Sequence, residues 1–170
     1  MEGIFNNLTS RKTYPSPNYM AYIIQSYRKT YDWETPLSYY FKDPYAAKIP
    51  MLIDGKTESN VINNSLTTEF DSLIQPGFVN AVKNGTDLNF VSALKENNVH
   101  NWKATKPLRI YHSEADEVVP YSDSEETYNT MLSLGSGTVS FVKLEGKSHG
   151  QATVPMIALV IEWFNSINSN

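Results

Sequence analysis

Cysteine is absent from the 170-residue chain. That excludes disulfides, thiol nucleophiles and thiolate metal sites, and it leaves the compartment open. Histidine is scarce: three residues, His100, His112 and His149, none paired at i, i+4. Zinc is therefore not expected, and neither metal nor cofactor is implied. No apolar run is long enough to span a bilayer. The net charge is −4 with no basic cluster, which argues against nucleic acid or an anionic membrane surface as partner. Met1-Glu2-Gly3-Ile4-Phe5 has neither the basic start nor the apolar centre of a secretory leader. What is present is an ordinary 41% hydrophobic fraction, in enough chain for one domain with a real core.

The stretch that organises the chain is Pro107 to Trp163, and it alternates strand and helix. Leu108-Arg109-Ile110-Tyr111-His112 is an apolar-rich run suited to a strand. It leads into the acidic loop Ser113-Glu114-Ala115-Asp116-Glu117-Val118-Val119-Pro120. A helix starts near Ser122, where Asp123, Glu125 and Glu126 favour the positive end of its dipole. Thr138-Val139-Ser140-Phe141-Val142-Lys143-Leu144 is a second strand, rich in β-branched residues and bounded by Gly137 and Gly146. It leads into Gly146-Lys147-Ser148-His149-Gly150 and a last helix. Strands separated by a helix should lie parallel. Loops at the carboxyl ends of parallel strands are where such sheets place their chemistry.

Before this stretch the pattern is helical. Residues 1–16 read as polar and irregular. Asn18 to Tyr31 reads as a helix whose stripe of Tyr19, Tyr22, Ile23, Ser26, Tyr27 and Thr30 is expected to pack inward. Short helical pieces follow at Pro36–Phe41 and Tyr45–Ile53, and another opens at Thr57-Glu58-Ser59-Asn60. A longer one from Thr67 toward Asn84 should break or kink at Pro76-Gly77. Gly85 suits its left-handed cap. A further helix starts at Thr86-Asp87 and frays at Asn97-Asn98. The expected division is a helical region 1–103 and an α/β region 104–170, joined near Asn101–Thr105. Two strands make only a marginal sheet in water. Further strands are expected from polypeptide outside this chain or from a second copy.

Asp116 and His149 are the candidate catalytic residues. A serine-hydrolase triad needs an imidazole base whose other ring nitrogen is held by a carboxylate, and the acid-then-histidine order on loops after successive strands suits that arrangement. With spacing alone, an ordinary loop acid and an ordinary loop histidine remain an equal alternative. His112 reads as a packed or hydrogen-bonded structural residue, His100 as surface or junction, and Glu114 and Glu117 as solvated loop charge. Gly146-Lys147-Ser148-His149-Gly150 matches G-x-S-x-G literally. The order serine, acid, histidine nevertheless disfavours Ser148 as nucleophile, because no aspartate follows it.

Pro107 through Pro120, together with Gly146-Lys147-Ser148-His149-Gly150, resembles the acid and histidine loops of the α/β-hydrolase superfamily. The acid loop of that family commonly reads His-Gly, two residues, Asp, two residues, Val-Pro. Here Ser113 stands where glycine is common, which asks its backbone to accept a tighter turn. Tyr14-Pro15-Ser16-Pro17-Asn18-Tyr19-Met20-Ala21-Tyr22 resembles the start of the helical cap in lipase-like and esterase-like members. The resemblance implies an α/β fold: the C-terminal part of an α/β-hydrolase, its last parallel strands with flanking helices, preceded by an all-helical cap. It implies an ester or acyl substrate, with Asp116 and His149 as triad acid and base. The nucleophile and oxyanion hole would come from upstream polypeptide of the same protein, and this chain alone would be inactive. The alternatives are a non-catalytic domain of the same fold that binds or self-associates through an open sheet edge, and a peptidase of the same fold.

Overall fold

The computed structural model describes residues 5, 6 and 8–168. The chain divides into two compact units, Met1–Asn97 and Asn98–Asn170. Among the described residues no helix is long and apolar enough to cross a membrane.

The first unit is helical: α1 (Asn18–Thr30), α2 (Leu37–Tyr40), α3 (Tyr45–Leu52), α4 (Ser59–Ser65), α5 (Phe70–Leu73), α6 (Pro76–Lys83) and α7 (Leu88–Glu96). The turn residues act where the sequence places them. Pro76 ends the segment from Thr67 and opens α6 at its first position, where a missing N–H costs nothing. Gly85 follows α6 at φ +70°, a conformation that a side chain would strain. The Asp87 carboxylate caps α7 by accepting the Phe90 N–H at 3.1 Å.

Two expectations about this unit need correction. Phe5, Asn6 and Leu8 are helical rather than irregular. Leu8 is fully buried, and the Phe5 ring lies 5.8 Å from Phe78 and 5.5 Å from Phe90. The rest of that irregular stretch before Leu8 lies outside the described residues. In α1 the buried face is Asn18, Met20, Ala21, Ile24, Gln25 and Tyr27. Tyr19, Ser26 and Thr30 face solvent, and Tyr22 and Ile23 sit at the boundary. The helical period is as expected and its phase is rotated. A tyrosine is apolar along its ring and polar at its tip, so it is at home on a boundary, whereas Ala21 and Ile24 have no polar group to keep wet.

Phe78 is the hub of this unit. Its ring stands edge-on to Tyr40 and Phe90, each at 4.9 Å between centroids, a favoured aromatic geometry. It is 1% exposed. Phe78→Ala is expected to cost about 3–5 kcal/mol, read as a lower urea midpoint at unchanged slope. A loss under about 1 kcal/mol would mean that the cluster collapses into the space without penalty.

The second unit is β1 (Leu108–Ser113), α8 (Tyr121–Ser133), β2 (Val139–Leu144) and α9 (His149–Asn168). As expected, the strands pair in parallel, in register from Leu108↔Val139 to Ser113↔Leu144. Among the described residues they form a two-stranded sheet. Helix α8 packs on both strands and α9 on β1. Because Ser113 and Leu144 are register partners, the strands finish level and their following loops emerge side by side. The Glu114 N–H continues the ladder to the Leu144 carbonyl at 3.2 Å.

Candidate active site

Level strand ends bring together two residues 33 positions apart. His149 Nδ1 lies 2.8 Å from Asp116 Oδ2. The contact follows from how each loop is held. After β1 the chain turns on the aspartate itself: Asp116 Oδ1 accepts the N–H groups of Val118 at 2.9 Å and Val119 at 2.8 Å. This self-bonding turn is one that aspartate favours. It leaves Oδ2 aimed at the neighbouring loop. Pro120 then leads into α8, its missing N–H removing any competing donor.

The histidine is placed by a helix start. His149 is the first residue of α9 rather than a loop residue. Ser148 and Gln151 form a reciprocal cap: the Ser148 N–H donates to Gln151 Oε1 at 3.1 Å, and the Gln151 N–H reaches Ser148 Oγ at 3.4 Å. This is the capping-box arrangement, S-x-x-Q. The serine of the literal G-x-S-x-G is thus engaged as a helix cap. The His149 N–H donates to Glu117 Oε2 at 3.0 Å. Glu117, expected to be solvated loop charge, therefore crosses from the acid loop to the histidine backbone, and a carboxylate at a helix start is electrostatically favoured. Glu114 pairs with Lys143 Nζ at 2.8 Å.

Ser113 resolves the departure from the usual glycine. Its backbone is outside the left-handed region, so no tight turn is imposed. The side chain is buried, and the hydroxyl faces the carbonyls of Leu144 at 3.0 Å and Lys147. One proton serves one carbonyl at a time, and either bond ties the acid strand to the histidine loop.

The electrostatics suit an acid that stays ionised. Asp116 is 7% exposed at its side chain, His149 46%. Burial pushes the Asp116 carboxyl up, but the Val119 amide, the His149 bond and the Val118 amide together draw it below its ordinary value of 3.8. A carboxyl with a depressed folded pKa contributes stability that is present above the unfolded value and lost as pH falls through the folded one. Asp116→Asn is therefore expected to flatten the acid limb of a stability–pH curve below about pH 4. Thermal unfolding across pH 2–5 checks it; an unchanged acid limb would mean that Asp116 titrates alike in both states.

With the carboxylate accepting at Nδ1, the His149 proton sits there and the Nε2 lone pair is free; among the described residues no protein atom bonds to Nε2. A cleft of 320 Å³ opens beside it, lined in part by Tyr111, Asp116, His149, Thr153 and Met156. Another histidine, His100, has its Nε2 3.8 Å from Glu126 Oε1.

No family model matches the chain, and no curated protein matches it. Solved structures do. A protein from Legionella pneumophila whose hydrolase assignment is provisional superposes at TM-score 0.80 with 27% identity, covering 88% of this chain and 40% of that one. The rice cell wall degrading esterase LipA from Xanthomonas oryzae superposes at TM-score 0.70 with 25% identity, covering 80% of this chain and 36% of the esterase. The G231F mutant of that esterase reaches TM-score 0.74 over 89% of this chain and 42% of its own, at 21% identity, a likeness of fold alone. The chain thus spans about two fifths of the first structure it matches. The fold is α/β and α/β-hydrolase-like, as expected.

Proposed function

Starting from a chain of α/β-hydrolase-like fold, we propose that it carries the acid and base of a serine hydrolase acting on carboxylic esters, with the attacking serine contributed by polypeptide outside these residues. His149 Nε2 takes the proton from the serine hydroxyl as the ester carbonyl is attacked. It then returns that proton to the leaving alkoxide. Asp116 holds Nδ1–H, which keeps Nε2 unprotonated before the attack and stabilises the imidazolium after it. Donors to the oxyanion would also come from outside the chain, since in this fold they belong to the residue after the nucleophile and an earlier loop. The observation that carries the reading is the 2.8 Å Nδ1–Oδ2 bond with Nε2 left open above a cleft. The esterase named among the structural neighbours supports an ester as substrate. The test is hydrolysis of a short-chain aryl ester. The 170-residue chain is expected to show none, and the protein that includes its nucleophile-bearing part to show turnover. Turnover by the chain alone would defeat the reading.

A second reading has one observation in its favour. Helix α9 exposes Val154, Ile157, Ile161 and Phe164, each more than half bare, at spacings of three and four that form one apolar stripe. Beside an open sheet edge, such a stripe suits association with a second copy without catalysis. It suits equally the further strands and helices of a larger hydrolase. Light scattering separates the two: a dimer abolished by Ile161→Asp, with no ester turnover in any longer form, would favour association.

A further inference from the structure

Asp116 Oδ2 faces two imidazoles. His149 Nδ1 stands 2.8 Å from it and His112 Nε2 stands 3.4 Å from it. His112 is the next-to-last residue of β1, and its side chain is 9% exposed. Its Nδ1 lies 2.6 Å from Ser124 Oγ on α8, and its Nε2 lies 3.2 Å from the Val119 carbonyl. The Tyr121 ring meets the imidazole edge-on at 5.8 Å.

The partners fix the proton. Near Nε2 stand a carbonyl oxygen and a carboxylate oxygen, both acceptors only. A bare Nε2 would place three lone pairs against one another in a buried site. Nε2 must therefore carry hydrogen, and Nδ1, in the neutral ring, accepts the Ser124 hydroxyl proton. The Nε2–H donates to the Val119 carbonyl, and Asp116 Oδ2 lies nearby at 3.4 Å, close enough to attract it electrostatically. Val119 is also one of the two residues whose N–H groups hold Oδ1. His112 thus holds the acid turn at the Val119 carbonyl, with the Asp116 carboxylate 3.4 Å away. The two imidazoles on this oxygen carry their protons on opposite nitrogens, His149 on Nδ1 and His112 on Nε2.

We propose that His112, locked by Ser124, is a positioning residue for this site: its Nε2–H holds the acid turn so that Asp116 Oδ2 presents to His149 in the one orientation that fixes the His149 proton on Nδ1. The inference rests on the Asp116–His149 pairing put forward above. It goes beyond it in assigning work to a histidine and a serine outside the pair. His112 touches no reacting atom in this account and acts through Asp116.

Only three histidines are present, so long-range proton–nitrogen correlation spectra of the 15N-labelled chain can resolve each tautomer without any nucleophile. At a pH where the rings are neutral, His149 is expected as Nδ1–H and His112 as Nε2–H. In His112→Leu, His149 is expected to drift to the tautomer mixture of a free imidazole. His112→Gln, which keeps an N–H near the Nε2 position, should restore it. In Ser124→Ala, His112 should keep its Nε2–H, which the Val119 carbonyl still accepts, but with its ring no longer locked His149 should drift part of the way toward that mixture. Should His112→Leu not fold, Ser124→Ala carries the test, since it removes only a hydroxyl. A wild-type His112 in the Nδ1–H form overturns the proposal. So does a His149 tautomer unmoved in His112→Leu or in Ser124→Ala. A wild-type His149 that is itself a free-imidazole mixture would instead overturn the Asp116–His149 pairing, and the role of His112 with it.

Discussion

His149→Ala, in the protein that includes its nucleophile, is expected to lower kcat for a short-chain aryl ester by about 10⁶-fold. The expectation follows from the division of labour at the site. Serine is a weak nucleophile at its own pKa and needs a base within hydrogen-bond reach. Among the described residues the cleft offers two imidazoles, and His112 has both ring nitrogens engaged. Among the described residues, His149 is the one of these two whose Nε2 bonds to no protein atom. KM should change little, because the base contributes mainly in the transition state. The fold should persist, since the side chain is 46% exposed and its helix is capped by Ser148 and Gln151. Steady-state kinetics with circular dichroism checks both halves. A loss below about tenfold would show that another group takes the proton.

Asp116→Asn is expected to lower kcat by about 10⁴-fold while leaving the backbone in place. The reason is specific to this turn. The Oδ1 position accepts two backbone N–H groups, so an asparagine must put its carbonyl oxygen there and its amide nitrogen toward His149. An amide N–H at that position requires His149 Nδ1 to accept. The ring proton then moves to Nε2, the nitrogen that must be bare to act as base. The imidazole stays in place in the wrong tautomer. Two outcomes distinguish this from a merely structural aspartate: kcat falls with KM nearly unchanged, and neutral-pH stability falls far less than activity. A variant that keeps most of its activity would remove Asp116 from the mechanism.

The strands and the Asp116–His149 pair were readable because their signals are local. Val139, Phe141 and Val142 lie between glycines, and an acid loop and a histidine loop follow consecutive strands. Their meeting needed one further fact, that Ser113 and Leu144 end level, and a parallel sheet makes that the natural outcome. Residues defined by a neighbour in space were harder to read. Nothing in Glu117 announces that its carboxylate will meet the His149 N–H, because that contact exists only once the strands are paired. His112 was legible as hydrogen-bonded, but its partners Ser124 and Val119 are supplied by the helix and turn that follow it. Ser148 could have been read better, since S-x-x-Q before an apolar run is a helix start in its own right. In α1 the period was visible and the phase was not, because Tyr19 and Tyr22 look apolar in a pattern, yet Tyr19 faces solvent and Tyr22 lies at the boundary. Phe5, in a stretch that reads as polar, is held by Phe78 and Phe90 far along the chain.

The central claim is that Asp116 and His149 serve a serine that lies elsewhere in the protein. Labelling with an organophosphonate ester, which attaches covalently to an activated serine, followed by peptide mapping, addresses it directly. The account predicts one adduct on a serine outside the 170 residues, formed in the wild type and abolished in His149→Ala. An adduct on Ser148, or labelling that persists without His149, would contradict it.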